Sequence, residues 1–213
     1  MGGGIPLGTL MIIFGGRGSG KSVMCQQFAY GALKEGREVT YISSEHTIPA
    51  ILSNMENLSL SVENAFVDGK FRITPVHTRY GTIDNTLNML AVLEDYIRKQ
   101  TSELIIVDSL SFFADGKTDG EVYRFFITCK RITEQQKIVF VTIPHFFMEE
   151  VHLERAINLC DTVMEIRMRE MGEKIARVLK IDKMKTLGEI FQEITAFEVD
   201  PAFGIRVSPI LEA

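Results

Sequence analysis

Short apolar runs alternate with segments of helical periodicity along most of the chain. Leu10 to Phe14 is apolar and leads into a glycine-rich loop. The spacing then predicts a helix from near Gly20 that turns Val23, Met24, Phe28, Ala29 and Leu33 inward, until Gly36 stops it. Val39 to Ile42 reads as the next strand, and Thr47-Ile-Pro as a helix start, with Thr47 the cap and Pro49 in the first turn. Phe71 to Val76 is a third strand. Asp84 to Lys99 carries Leu87, Leu90, Leu93 and Ile97 at helical spacing. ELIIVDS is a buried strand ending at Asp108, Gly120 to Gln135 a helix, Ile138 to Ile143 a buried strand broken by Pro144, and Glu149 to Cys160 a last helix. From Asp161 onward only strand-like alternation remains. Val163 to Arg169 and Lys174 to Ile181 form a hairpin about Gly172, extended by Ile194 to Val199 and Gly204 to Val207. The pattern predicts an α/β fold, with a mainly parallel central sheet, helices on both faces and a C-terminal antiparallel β-meander over 161–213. With no repeat or linker, the chain reads as a single domain, 1–213.

Composition narrows the classes. A chain of 213 residues, 46% hydrophobic, fills one α/β core. Basic residues number 23 and acidic ones 28, a net charge of −5, so no global positive field draws in nucleic acid or acidic lipid. Cys25, Cys129 and Cys160 are odd in number and lie within apolar helical patterns, which suits reduced core residues in a cytosolic protein. No apolar run reaches membrane-spanning length. MGGGIPLG lacks the features of a signal peptide, and Pro6 breaks the myristoylation pattern.

FGGRGSGKS, Phe14 to Ser22, fits the phosphate-loop pattern G-x-x-x-x-G-K-[ST]. Glycines let backbone amides converge on phosphates without Cβ clashes, and the helix N-terminus adds its dipole. Gly15, Gly16, Arg17, Gly18, Ser19, Gly20, Lys21 and Ser22 are therefore the expected nucleotide-binding set, Lys21 reaching the β- and γ-phosphates and Ser22 ligating Mg2+. Such a loop needs an acidic partner for the metal at the tip of a neighbouring buried strand, and LIIVDS supplies Asp108. Ser109 either orients that aspartate or senses the γ-phosphate, or only turns the chain.

Glu45, in YISSEHT, falls just past the second strand, at the edge of the sheet where phosphates lie. It either orients the attacking water or is a solvated loop glutamate near a helix N-terminus. His46 reads better as a loop histidine than as a base. His145 follows a buried strand and either senses the γ-phosphate or is an ordinary strand end. His77 and His152 lack acidic or cysteine partners at ligand spacing, which argues against metal binding. Arg167 to Lys185 holds seven basic residues against Glu170, Glu173 and Asp182. A solvated hairpin face is the plain reading. Lys183 and Lys185 nevertheless share one strand face and suit a triphosphate of a neighbouring subunit or a nucleic-acid backbone. A strand this far along is not expected to fold back to its own phosphate loop. Phe146, Phe147 and Met148 read as packing at a helix start rather than a docking patch.

GGGIPLGTLMIIFGGRGSGKS, SSEHT, IIVDS, VLKIDKMKT and PAFGIRVSP, in this order and spacing, resemble the RecA-like ATPases of the KaiC type. EHT and MENLSLSVENAFVDGKFRI are most similar to the FlaH family, the accessory ATPases of the archaeal swimming motor, the archaellum. The resemblance covers essentially the whole chain. It implies a RecA-like P-loop NTPase fold with ATP and Mg2+ as cofactors. It also implies a homo-oligomeric, hexameric ring in the cytoplasm, peripheral to the membrane and packed against the archaellum motor ATPase and the membrane platform. Lys21, Ser22 and Asp108 would hold nucleotide and Mg2+, Glu45 would stand at the catalytic glutamate position, and Lys183 and Lys185 would face the γ-phosphate of the next subunit. KaiC-type proteins carry two glutamates where this chain has Ser44 and Glu45, which implies weak or no turnover. The resemblance further leads to an expected short helical lead ahead of GGGIP, not found in this sequence.

The sequence thus points to an ATP-binding regulatory component of a motor assembly. An active KaiC-type ATPase or autokinase is the alternative. A recombinase-like DNA-binding ATPase is disfavoured by the acidic total and by the lack of an aromatic-rich basic loop.

Overall fold

β1 (Leu10–Gly15) is buried along its whole length. Leu10, Ile12 and Phe14 pack into one hydrophobic cluster, Met11 and Ile13 into another on the opposite face. A strand buried on both faces has no reason to alternate with polar residues, hence the unbroken apolar run. The computed structural model describes residues 4–76, 88–145, 147–171, 174–184 and 193–208.

Around β1 stand β2 (Val39–Ser43), β3 (Phe71–Pro75), β4 (Leu104–Asp108), β5 (Ile138–Pro144), β6 (Thr162–Met171), β7 (Lys174–Lys183), β8 (Glu193–Asp200) and β9 (Gly204–Ser208). They form one sheet in the order β3-β2-β4-β5-β1-β6-β7-β8-β9. Pairing is parallel from β3 through β6 and antiparallel from β6 through β9. This is the mainly parallel sheet with a C-terminal antiparallel meander that the alternation predicts.

α1 (Lys21–Lys34), α2 (Ile48–Glu56) and α3 (Glu63–Val67) pack on one face, through Met24, Cys25, Ala29, Ile51, Met55 and Phe66. α4 (Met89–Arg98), α5 (Asp119–Thr133) and α6 (Glu150–Leu159) cover the other, through Leu90, Leu93, Ile97, Phe125, Phe126 and Ala156. Thr47 caps α2 as expected, its hydroxyl accepting from the Ala50 N–H at 3.3 Å. α5 opens on a capping box in which Thr118 and Glu121 satisfy one another's backbone amides. The described part of α4 starts at Met89 behind the Asn88 cap, and the expected start at Asp84 lies outside the described residues, as do Leu87, His77, Gly172 and Phe146.

Two short elements escape the pattern. α3 buries no residue completely, and a 3-10 turn at Leu110–Phe112 follows β4. Neither is long enough to show a period. Phe147 and Met148 pack against the core at the start of α6, as expected of a helix entry. Cys25, Cys129 and Cys160 are free and buried. Among the described residues no helix is long and apolar enough to cross a membrane.

The meander does more than extend the sheet. Phe197 of β8 joins the cluster around α1, and the Ile205 N–H of β9 donates to Gln27 Oε1 on α1 at 3.1 Å. The antiparallel strands therefore curl over the first helix and reach one side of the loop that precedes it.

Candidate nucleotide site

The loop between β1 and α1 is shaped by two glycines for separate reasons. A Cβ on Gly15 would lie 2.5 Å from the Ile166 carbonyl oxygen and 2.7 Å from Ser19 Oγ, so β1 approaches β6 there too closely for any side chain. Gly20 caps α1 with φ of 103°, the left-handed region that glycine enters without strain. The Lys21 ammonium folds back onto the loop and donates to the carbonyls of Gly15 and Gly16, both at 2.9 Å. Burial holds the Lys21 ammonium below its usual range, while the charges of Asp108 and Glu45 oppose that shift. Ser19 Oγ is buried with no hydrogen-bond partner among the described residues.

Asp108 ends β4, opposite Ser43 of β2 in the parallel ladder. It is almost fully buried, and both carboxylate oxygens are engaged. Thr142 Oγ1 donates to Oδ1 at 2.8 Å and the Tyr41 hydroxyl to Oδ2 at 2.6 Å. Buried carboxylates tolerate their charge through such donors. Beyond Ser43 the chain turns towards α2, with Ser43 Oγ accepting from the amides of Glu45 and His46 at 3.4 and 3.0 Å. Ser109 Oγ meets Ser111 Oγ at 2.5 Å.

These groups converge on a cleft of about 860 Å³ lined by Arg17, Gly18, Gly20, Lys21, Ser22, Val23, Glu45, His46, Asp108, Ser109, Ser111, Pro144, Arg177 and Val199. Arg17, Gly18, Gly20, Lys21 and Ser22 of the expected loop set thus meet Asp108 and Glu45 in one place although they come from three strand ends, whereas Gly15, Gly16 and Ser19 do not line the cleft. Hydroxyl and carboxylate oxygens from Ser22 and Asp108 are the hard donors that Mg2+ prefers. Lys21, the helix N-terminus and the loop amides suit phosphate oxygens.

Pro144 lines the cleft, whereas His145 braces the loop from behind. Its N–H donates to the Gly15 carbonyl at 3.3 Å, its ring packs edge-on against Phe14, and Nε2 lies 3.8 Å from the buried Glu165 carboxylate. Glu165 also accepts from Arg167 at 2.5 Å, and Lys180 pairs with Asp182, so part of the basic hairpin is neutralised within itself.

Two expectations about the hairpin divide. Lys183 ends β7 opposite Val163, whereas the Gly15 end of β1 lies opposite Ile166. The exposed Lys183 therefore sits towards the far end of the sheet, its Nζ 3.5 Å from the Asn158 carbonyl oxygen. Lys185 lies outside the described residues. The expectation that this strand stays away from its own loop does not hold for the rest of β7. Arg177 lines the cleft, its Cδ 3.5 Å from where a Cβ of Gly20 would stand, and its buried Nε has no partner among the described residues. Sequence reading missed Arg177 because the antiparallel register and the curl of the sheet, rather than any local motif, bring it to the loop.

His152 also departs from expectation. Its Nε2 lies 3.7 Å from Asp119, and with Glu149 the three ligand atoms lie within 4.8 Å of one another. The three groups sit at the N-terminal ends of α5 and α6, where the helix dipoles favour carboxylates and disfavour a cation. Those dipoles account for the two carboxylates of the cluster.

The family described as "ATPase: KaiC" matches residues 1–212. The archaeal flagellar ATP-binding protein FlaH of Sulfolobus acidocaldarius is 30% identical over 212 residues, covering 98% of this chain and 92% of that protein. Its namesake from Methanocaldococcus jannaschii is 28% identical over 208 residues, covering 97% and 89%. The crystal structure of the flagellar accessory protein FlaH from M. jannaschii superposes with a TM-score of 0.84 at 28% identity, covering 98% of this chain and 92% of that one. A KaiC-like protein of Pyrococcus horikoshii shares the fold, with a TM-score of 0.76 at 21% identity over 98% and 93% of the two chains. With its RecA-like sheet and its phosphate-loop sequence, the chain belongs to the KaiC family of ATPases and, within it, to the FlaH group.

Proposed function

We propose that this protein is an ATP-binding regulatory and assembly component of the archaellum motor, with weak or no hydrolysis of its own. The observation that carries the reading is the convergence of Lys21, Ser22 and Asp108 on one cleft in a chain similar to archaeal flagellar ATP-binding proteins. Gly15 to Ser22 would hold the phosphates of ATP, and Ser22 and Asp108 would hold Mg2+. Bound Mg2+ would neutralise phosphate charge and add ionic contacts that the protein alone cannot supply. Tyr41 and Thr142 hold the Asp108 carboxylate in place through a hydrogen bond to each oxygen. Nucleotide state would control formation of a homo-oligomeric ring and its docking on the motor ATPase and membrane platform, from the cytoplasmic side. Calorimetric titration with Mg2+-ATP tests the binding. A pull-down of membrane motor components with ATP, with ADP and without nucleotide tests the assembly role, and equal recovery in all three would reject it.

A second reading, an active ATPase or autokinase, rests on Glu45 lining the same cleft as Asp108. A carboxylate so placed can accept a proton from water. Steady phosphate release that Glu45→Gln lowers at unchanged ATP affinity would favour it.

A further inference from the structure

We propose that Ser44 is a positioning residue that joins the Glu45 loop to the Asp108 turn, so that the two carboxylate-bearing segments of the cleft move as one body. This deepens the ATP-binding reading and rests on it. The β2–β4 ladder ends at the Ser43 and Asp108 pair. Beyond it one chain leaves for α2 and the other for the 3-10 turn, so the ordinary sheet bonding stops where the site begins. Ser44 prolongs the pairing. Its N–H donates to the Asp108 carbonyl at 2.9 Å. Its hydroxyl then donates to the Ser109 carbonyl at 3.1 Å and accepts from the Ser109 N–H at 3.0 Å.

One hydroxyl therefore satisfies both backbone groups of a nearly fully buried residue, as a partner residue in a strand would. Alanine offers neither donor nor acceptor, and unmade bonds to buried backbone groups carry a desolvation penalty. On the other side, Ser43 Oγ holds the amides of Glu45 and His46. Glu45 and Asp108 are thereby connected through Ser43 and Ser44, without any contact between the two carboxylates being required.

The consequence falls on the metal. Mg2+ demands near-ideal octahedral geometry, so a small displacement of Asp108 weakens its contribution. Nucleotide held by the loop amides and Lys21 in EDTA does not depend on that displacement. ATP affinity should be measured with Mg2+ and in EDTA for the parent, Ser44→Ala and Ser44→Thr, alongside hydrogen exchange at the Ser109 amide without nucleotide. In Ser44→Ala the gain in affinity due to Mg2+ should shrink about five- to tenfold, ~1–1.4 kcal/mol. Affinity in EDTA should stay within about twofold, Ser109 exchange should accelerate about tenfold or more, and threonine, which keeps the hydroxyl, should restore both. An unchanged Mg2+ gain, an equal loss in Mg2+ and EDTA, or a threonine variant no better than alanine would overturn the positioning role. A parent with no Mg2+-dependent gain would overturn the ATP-binding reading and this role with it. Unaltered Ser109 exchange in Ser44→Ala would overturn the link by itself, whatever the protein binds.

Discussion

The Tyr41 hydroxyl donates a 2.6 Å hydrogen bond to Oδ2 of Asp108 inside the sheet, one strand away from the carboxylate that it serves. Burial first, and the Asp108 charge second, push the Tyr41 hydroxyl well above its ordinary value of 10.0. Burial likewise raises Cys25 and Cys129 well above 9.0, and Cys160 to about 12. The folded protein thus holds these protons more tightly than the unfolded chain. Their contribution is complete below the unfolded values and is lost as pH rises through the folded ones. Denaturant midpoints should accordingly fall above about pH 9 as the unfolded thiols ionise, with a further component from Tyr41 above about pH 10. Tyr41→Phe should cost about 1–2 kcal/mol at pH 7, because Asp108 loses a buried donor, yet it should flatten the limb above about pH 10. Parallel pH profiles for parent and variant would show that Tyr41 does not contribute to that limb.

Lys21 and Asp108 should fail differently. Lys21→Ala removes the cation that now bonds the Gly15 and Gly16 carbonyls and should nearly abolish Mg2+-ATP binding. Asp108→Asn keeps the shape but not the charge, so binding in Mg2+ should weaken more than binding in EDTA. Calorimetric titrations under the two conditions check both. Unchanged ATP affinity in the Lys21 variant would remove the loop from the function.

What could be read from the sequence follows from how local the determining physics is. β1 and β5 are legible because burial on both faces leaves nearly continuous apolar runs, broken in β5 only by Thr142, and α2 because Thr47 and Pro49 mark its first turn. The meeting of Asp108 with the glycine loop could be anticipated because both stand at ends of parallel strands, where open α/β sheets place their ligands. α3 could not be found, since a helix of five residues with nothing fully buried has no period to detect. The bonds of Ser44, the pairing of Asp119 with His152 and the position of Arg177 depend on tertiary register between distant segments. No spacing rule encodes that.

Arg177 should matter to the nucleotide within its own chain. An arginine whose buried Nε has no partner among the described residues, beside the loop, is poised for an anionic partner, and charge-assisted bonds to phosphate are stronger than neutral ones. Arg177→Met keeps most of the aliphatic stem against Gly20 and Phe197 while removing the guanidinium. ATP and ADP affinities of the monomer should fall about tenfold, ~1.4 kcal/mol, with adenosine binding little changed. Equal loss for adenosine would assign Arg177 to packing instead.

Lys183 supplies the contrasting case. It lies on the same strand as Arg177, but at the end opposite Val163, away from the loop that follows Gly15. It cannot then contribute to the cleft of its own chain as Arg177 does, and its exposed ammonium makes a long 3.5 Å approach to the Asn158 carbonyl. If it serves a phosphate, that phosphate belongs to another copy of the chain. ATP would then bridge two subunits, and loss of the γ-phosphate would weaken the contact between them. Lys183→Ala/Lys185→Ala should leave monomer folding and monomer ATP binding largely intact while abolishing ATP-dependent oligomers, the reverse of the Arg177 outcome. Light scattering over a protein concentration series in ATP and in ADP measures this directly. Equal assembly of parent and variant in ATP would leave these lysines as a solvated strand end, and the coupling of nucleotide to assembly would have to pass through the curl of β7 to β9 over α1.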